Sequence, residues 1–350
     1  MSRDRSQREF VPPEVTQLLD IPRLKRIPLS RYPLAQKVIG NICLWPNFRL
    51  PPQVKIVLEN LERIPQGSVI YAMNHTDRYN YFPFQFQMWK SLDRFTATWV
   101  KGKYYENALL GKFMELTNNI PTVSRGYLIT RDFVSVMDRT PTSGEYTALR
   151  SWVDETVQGD VGETPLLSAA VSEKLLNEPR DVVGYAFDPE RKSYPEYINS
   201  IFAVMMELFV SLNERALDLG LDLLIFPQGT RSTRLSAGHI GLAEMALRLQ
   251  ATVVPVGCSG SDLVYPGASP FGKGGRIVYR FGEPIPYKEM ERFHIPDDFT
   301  PFDSRHEAQH KVKLQGFVDV VMDRINELVD PQYQYGDGAS PVESGSDRFL

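Results

Sequence analysis

Residues 68–80 read SVIYAMNHTDRYN. The first six are uncharged and rich in β-branched and large apolar types, which spells a short buried strand; Asn74 then opens a polar run that ends it. A histidine, His75, therefore stands where a strand gives way to a loop, the end of a strand at which α/β sheets bind their ligands. A lone histidine also serves as a satisfied structural residue, and this stretch alone leaves both readings open. A second stretch repeats the grammar. Residues 221–232, LDLLIFPQGTRS, run from an apolar strand into a turn with a glycine, two hydroxyls and an arginine. Amide N–H groups freed at such a turn, with a guanidinium beside them, suit a phosphate, although many ordinary β-turns share the composition.

Outward from these two strands the chain alternates short β-branched runs with longer helical ones, the rhythm of an α/β fold. Strands are predicted near 54–58, 68–73, 95–100, 120–123, 221–226, 252–257 and 275–281. Helices are predicted near 82–91, 104–117, 197–218, 239–250 and 304–329. In the last, Leu314, Phe317, Val318, Val321, Ile325 and Leu328 fall at helical spacing and predict a core-facing stripe. Residues 131–190 break the rhythm, with twelve acids against five bases and several Gly and Pro. They read as a mixed helix-and-loop insertion, bounded at 131–196, rather than a second domain.

At 350 residues, 42% apolar and 23% charged, the chain has globular composition. A net charge of −4 argues against a nucleic-acid partner, which demands a basic excess. Two cysteines, Cys43 and Cys258, are too few and too far apart for a disulfide framework or a zinc motif, and fit a reducing cytosol. Neither a signal peptide nor an 18-residue apolar run is present. Residues 1–20 and 335–350 read as disordered tails. Between 21 and 50 lie Arg23, Lys25, Arg26, Arg31, Lys37 and Arg49 with no acid, interleaved with apolar residues and Trp45. This basic arm, 1–50, is either a solvated tail or an attachment to an anionic membrane surface, where each basic residue contributes about 1 kcal/mol. Pro22, Pro28, Pro33, Pro46 and Pro51 limit any helix here to about 34–45.

Taken together the motifs resemble the glycerolipid acyltransferase superfamily, the glycerol-3-phosphate and 1-acylglycerol-3-phosphate acyltransferases. Four sequence blocks follow in order across about 54–290: Asn74, His75 and position 80 for Asn-His-x4-Asp; Asn119 to Arg125 in NIPTVSR; Phe226 to Ser232 in FPQGTRS for Phe-Pro-Glu-Gly-Thr-Arg-Ser; and Val253, Val254 and Pro255 for an apolar pair before proline. The resemblance implies a single acyltransferase domain over 51–330, a mixed sheet flanked by helices with the acidic insertion, and a tail at 331–350. It also implies transfer of a fatty acyl group from an acyl-CoA or acyl-carrier-protein thioester to a hydroxyl of a lysophospholipid or phosphorylated alcohol. His75 would be the general base, and Gln228, Gly229, Thr230 and Arg231, with Arg125 and Lys101, would hold the substrate. No cofactor or metal is implied. The expected location is cytoplasmic, peripheral on the cytoplasmic face of a membrane.

Two positions depart from the family, and both exchange a carboxylate for its amide: Asn80 for Asp and Gln228 for Glu. An asparagine orients an imidazole but leaves the imidazolium charge uncompensated. Asp77, two residues after His75, is a candidate replacement partner, or else caps the following turn. The alternative function is a non-catalytic relative that binds lipid or acyl-CoA; a hydrolase lacks its GxSxG elbow. Cys258 reads as a core thiol rather than a nucleophile, His239 as a helix-start residue, and His294, His306 and His310 form no ligand motif.

Overall fold

The computed structural model describes residues 18–158, 171–296 and 298–336. Its strands are β1 (Val54–Glu59), β2 (Ile70–Met73), β3 (Thr96–Lys101), β4 (Asn119–Thr122), β5 (Arg180–Asp181), β6 (Ala186–Phe187), β7 (Asp222–Ile225), β8 (Val253–Ser259) and β9 (Gly275–Phe281). Seven of them form one sheet in the order β1-β9-β8-β2-β7-β3-β4. All neighbours are parallel except β8 and β9, so the sheet is mixed and only β1 and β9 run against the rest. The α/β class and the seven predicted strands are thus present in the fold.

Burial on both faces explains the continuous apolar spelling of the inner strands. Along β2, Ile70 and Ala72 enter one core while Tyr71 and Met73 enter the other. Leu223 and Ile225 oppose Leu224 in β7 by the same two-residue parity. Twelve α-helices are described: α1 (Ile21–Lys25), α2 (Leu34–Ile39), α3 (Trp45–Arg49), α4 (Tyr81–Leu92), α5 (Ala108–Leu116), α6 (Arg125–Met137), α7 (Ser143–Gln158), α8 (Glu173–Asn177), α9 (Tyr194–Asp218), α10 (Gly241–Arg248), α11 (Ser261–Val264) and α12 (Ser304–Leu328). The long α9 starts at a capping box, Ser193 with Glu196, and has a proline in its first turn. In α12 the predicted stripe is buried from Leu314 to Ile325, beneath an Asp303 side chain that accepts from Arg305 N and His306 N.

The insertion holds α7, α8, the end of α6 and a β5–β6 ribbon that composition did not announce. Phe133, Leu149, Leu175 and Phe187 belong to the same core as β2 and α9. Arg180 makes paired bonds to Asp132 at 2.8 and 2.7 Å and so fastens the ribbon to α6. Residues 159–170 of this insertion, and positions 1–17 and 337–350 of the predicted tails, lie outside the described residues.

The basic arm is docked rather than loose where it is described. Leu19, Leu24 and Ile27 are buried in the main core. Arg23 pairs with Glu115 at 2.9 Å and also reaches the Tyr105 carbonyl. Gln36 donates to Thr96 O (3.2 Å) and Thr117 O (2.6 Å), pinning α2 to the start of β3 and the end of α5. A π-helical turn over Gly40–Leu44 joins α2 to α3, and Pro46 falls in the first turn of α3, where its missing N–H does no harm. The helical stretch therefore runs past the predicted 45 to Arg49. Its outward face is apolar, with Leu34 (73% exposed), Val38, Ile42 (68%) and Trp45 spaced four, four and three residues apart. No helix of the described residues is long and apolar enough to cross a membrane.

Candidate active site

The carboxyl ends of β2, β3, β4 and β7 meet on one side of the sheet, and each hands the chain to a loop there. A cavity of about 580 Å³ opens at this edge. Its walls come from seven separate segments: Ile39 and Leu44 from the arm, His75 to Phe82 after β2, Thr98 to Tyr104 along and after β3, Leu110 to Met114 on α5, Thr122 at the end of β4, Phe226 with Gly229 to Arg231 after β7, and Pro270 before β9. The lining is apolar along α5 and the arm. It also carries three cations, Arg78, Lys101 and Arg231, of which Arg231 and Lys101 act on His75.

His75 stacks on Phe226 with ring centroids 4.1 Å apart. Its Nδ1 lies 3.0 Å from Asn80 Oδ1, and Asn80 Nδ2 donates to Asn74 O at 2.9 Å. With the amide nitrogen spent on that carbonyl, the amide oxygen must accept from the ring, so Nδ1 carries the proton and Nε2 presents a lone pair. Burial lowers the histidine to about 4; the Asn80 bond opposes that shift, and Arg231 and Lys101 add to it. The ring is thus neutral throughout the physiological range, as a proton acceptor must be.

Asp77 does not face the ring. Its carboxylate accepts from Tyr79 N (2.8 Å) and Thr76 Oγ1 (2.9 Å), the turn-capping arrangement, and burial holds it above the usual carboxylate range. Gln228 is buried behind the cavity, where Oε1 accepts from His75 N (3.3 Å) and Nε2 donates to Arg234 O (3.3 Å). Its amide clamps the β7 turn to the histidine loop, a two-way role in which a carboxylate would lack the donor. Gly229, at φ 66°, takes the left-handed turn, and a Cβ there would lie 2.9 Å from His239.

The predicted residues His75, Lys101, Gly229, Thr230 and Arg231 line the cavity together, and Asn80 touches it through His75. Arg125 does not line it. Its Nε donates to Asn199 (2.8 Å), its guanidinium lies 4.0 Å from the Phe202 ring, and its charge faces Glu307. Arg78, Tyr79, Tyr104 and Trp99 line the cavity without having been singled out from sequence. Arg78 stood in the same loop as His75, and a cation three residues from a proposed base was the available signal. Cys258 is buried, as a core thiol should be. Among the described residues no cluster of His, Cys, Asp and Glu is placed to hold a metal ion.

No family model matches the chain and no curated protein matches it. Among solved structures, the chain is similar to the crystal structure of the 1-acyl-sn-glycerophosphate (LPA) acyltransferase PlsC from Thermotoga maritima, at 13% identity and a TM-score of 0.37, over 86% of this chain and 80% of that one.

Proposed function

We propose that the chain is an O-acyltransferase that moves a fatty acyl group from a CoA or carrier-protein thioester to a hydroxyl of an anionic acceptor, a lysophospholipid or a phosphorylated alcohol. The observation that carries this reading is one base at the junction of two environments: His75, held neutral by burial, stands between an apolar cavity and the cations Arg78, Lys101 and Arg231. An amphiphile with an anionic head matches that polarity. Its hydroxyl would give its proton to His75 Nε2 as the oxygen attacks the thioester carbonyl carbon; the carbon–sulfur bond then breaks, and the thiolate leaves with the proton returned from the ring. Arg231 and Lys101 serve the acceptor's charge, and Arg231 has the fork geometry for a phosphate.

Attachment to a membrane surface belongs to the same proposal. Ile39 and Leu44 face the cavity, while Leu34, Val38, Ile42 and Trp45 of the same helical stretch face outward. An apolar face with interfacial Trp and nearby Lys37 and Arg49 suits an anionic leaflet, the store of long acyl chains. The experiment is thiol release from acyl-CoA and acyl-carrier protein by the purified chain, screened over lysophosphatidate, glycerol phosphate and uncharged alcohols. Release that depends on an anionic acceptor supports the reading. Saturable acyl-CoA binding with no release under any acceptor would identify a binding protein instead.

A further inference from the structure

Beyond His75 and Asn80, a chain of buried hydrogen bonds runs from β8 and β9 to the imidazole. Asn74 leaves β2 one residue after its last pairing, Met73 with Val256. Its side chain then continues the sheet, with Nδ2 donating to Cys258 O (2.9 Å) and Oδ1 accepting from Cys258 N (2.7 Å). That two-point clamp fixes the Asn74 peptide, whose carbonyl receives Asn80 Nδ2. From β9 the hydroxyl of Tyr279 donates to Asn80 O at 2.5 Å, and Tyr279 and Asn80 are both fully buried. Asn80 is thus held at its main chain by one residue and at its side chain by another.

We propose that Tyr279 and Asn74 are positioning residues that immobilise Asn80 so that His75 keeps its proton on Nδ1. Neither touches the imidazole; both act through Asn80. A carboxylate in place of Asn80 would enforce this tautomer by charge alone, whichever oxygen it presented. An amide enforces it only while its oxygen, and not its nitrogen, faces the ring, so the burden of orientation passes to Asn74 O, which holds the amide nitrogen, and to Tyr279, which fixes the main chain that carries the amide. The function of the chain as an acyltransferase gives this arrangement its purpose, but the tautomer itself is independent of turnover.

The test is 15N NMR of histidine-labelled protein without substrate, with His75→Gln identifying the His75 signals among the five histidines. In the wild type the Nδ1–H form dominates. Tyr279→Phe removes one hydroxyl and keeps the ring that packs 5.4 Å from Phe84; it should lower the ratio of the two tautomers about fivefold to tenfold, the effect of one net buried hydrogen bond. In an Asn80→Ala background the same change should move the ratio by less than about twofold, because the intermediary is gone. Phe84→Leu disturbs the same packing without touching the hydroxyl and should leave the ratio as it is. An unchanged ratio in Tyr279→Phe, an equal change in both backgrounds, or an equal change in Phe84→Leu overturns the assignment. Absence of acyl transfer would refute the proposed function and leave this measurement standing.

Discussion

Asn80→Asp places a negative charge at the atom that faces His75 Nδ1, 3.0 Å away. Unit charges at that separation interact by about 5 kcal/mol at an effective dielectric of about 20, and burial of the new carboxylate takes back part of it. A carboxylate this close raises a histidine by about one to three pH units. Starting from about 4, His75 would then titrate near about 5–7. The imidazolium that forms as the acceptor loses its proton gains the same interaction, about 1.4–4 kcal/mol, so kcat should rise at least about tenfold. The substitution also turns Asn80 Nδ2, now donating to Asn74 O at 2.9 Å, into an oxygen facing an oxygen. Stability should fall by about 1–3 kcal/mol for that lost bond. The signature is a faster and less stable protein, read by kcat as a function of pH and by urea unfolding. Because only neutral His75 accepts a proton, the rate falls as pH drops through its pKa. In the wild type that acid limb lies at about 4, and in the variant it should lie about one to three units higher. An unchanged rate with the limb still near the wild-type position would refute the reasoning, since the new charge would then be uncoupled from the base.

Glu244 is buried on α10 and pushed up to about 8, first by burial and then by Glu307. It binds its proton more tightly folded than unfolded, so stability falls as pH rises from about 4.5 to about 8, by about 1.4 kcal/mol per unit. Glu244→Gln keeps the acceptor for Phe302 N and should remove that slope; urea midpoints of the two proteins that stay parallel from pH 5 to 8 would contradict it. Arg23→Gln breaks a mostly buried pair with Glu115, and should destabilise by about 3 kcal/mol without specifically weakening vesicle binding. Changing Leu34, Ile42 and Trp45 together to Ser should abolish co-sedimentation with anionic vesicles at unchanged urea stability; retained binding would place the membrane contact elsewhere.

Much of the fold was legible because its signals are local. The seven sheet strands announce themselves as short apolar or β-branched runs between turns, and the five helices as longer segments of helical pattern. The docking of the arm was not legible, because the partner of Arg23 stands 92 positions away at Glu115 and a row of basic residues reads locally as a solvated face. The two-residue strands β5 and β6 are too short to show a period. At the site, His75 and Arg231 stood out by residue type in strand-end loops. The choice between Asp77 and Asn80 as the histidine's partner did not, since two and five residues of loop reach the ring equally well until the turn capped by Asp77 is formed. Arg125 opens its helix in a sequence block that suggested substrate binding, yet its direction is set by Asn199 and Phe202 on α9, far along the chain.

The role of His75 as the base of an acyl transfer is measured most directly by comparing thiol release from acyl-CoA, with lysophosphatidate as acceptor, by the wild type and His75→Ala. The ring packs on Phe226 at the cavity wall, so the variant should show a wild-type circular dichroism spectrum and an unfolding free energy lowered by no more than about 1–3 kcal/mol, the cost of leaving the Asn80 oxygen unpaired. Turnover in the folded variant should fall by about 10²-fold or more, the loss of a positioned general base. A folded variant that keeps more than about a tenth of wild-type turnover would contradict the account, because that loss is smaller than any positioned base contributes.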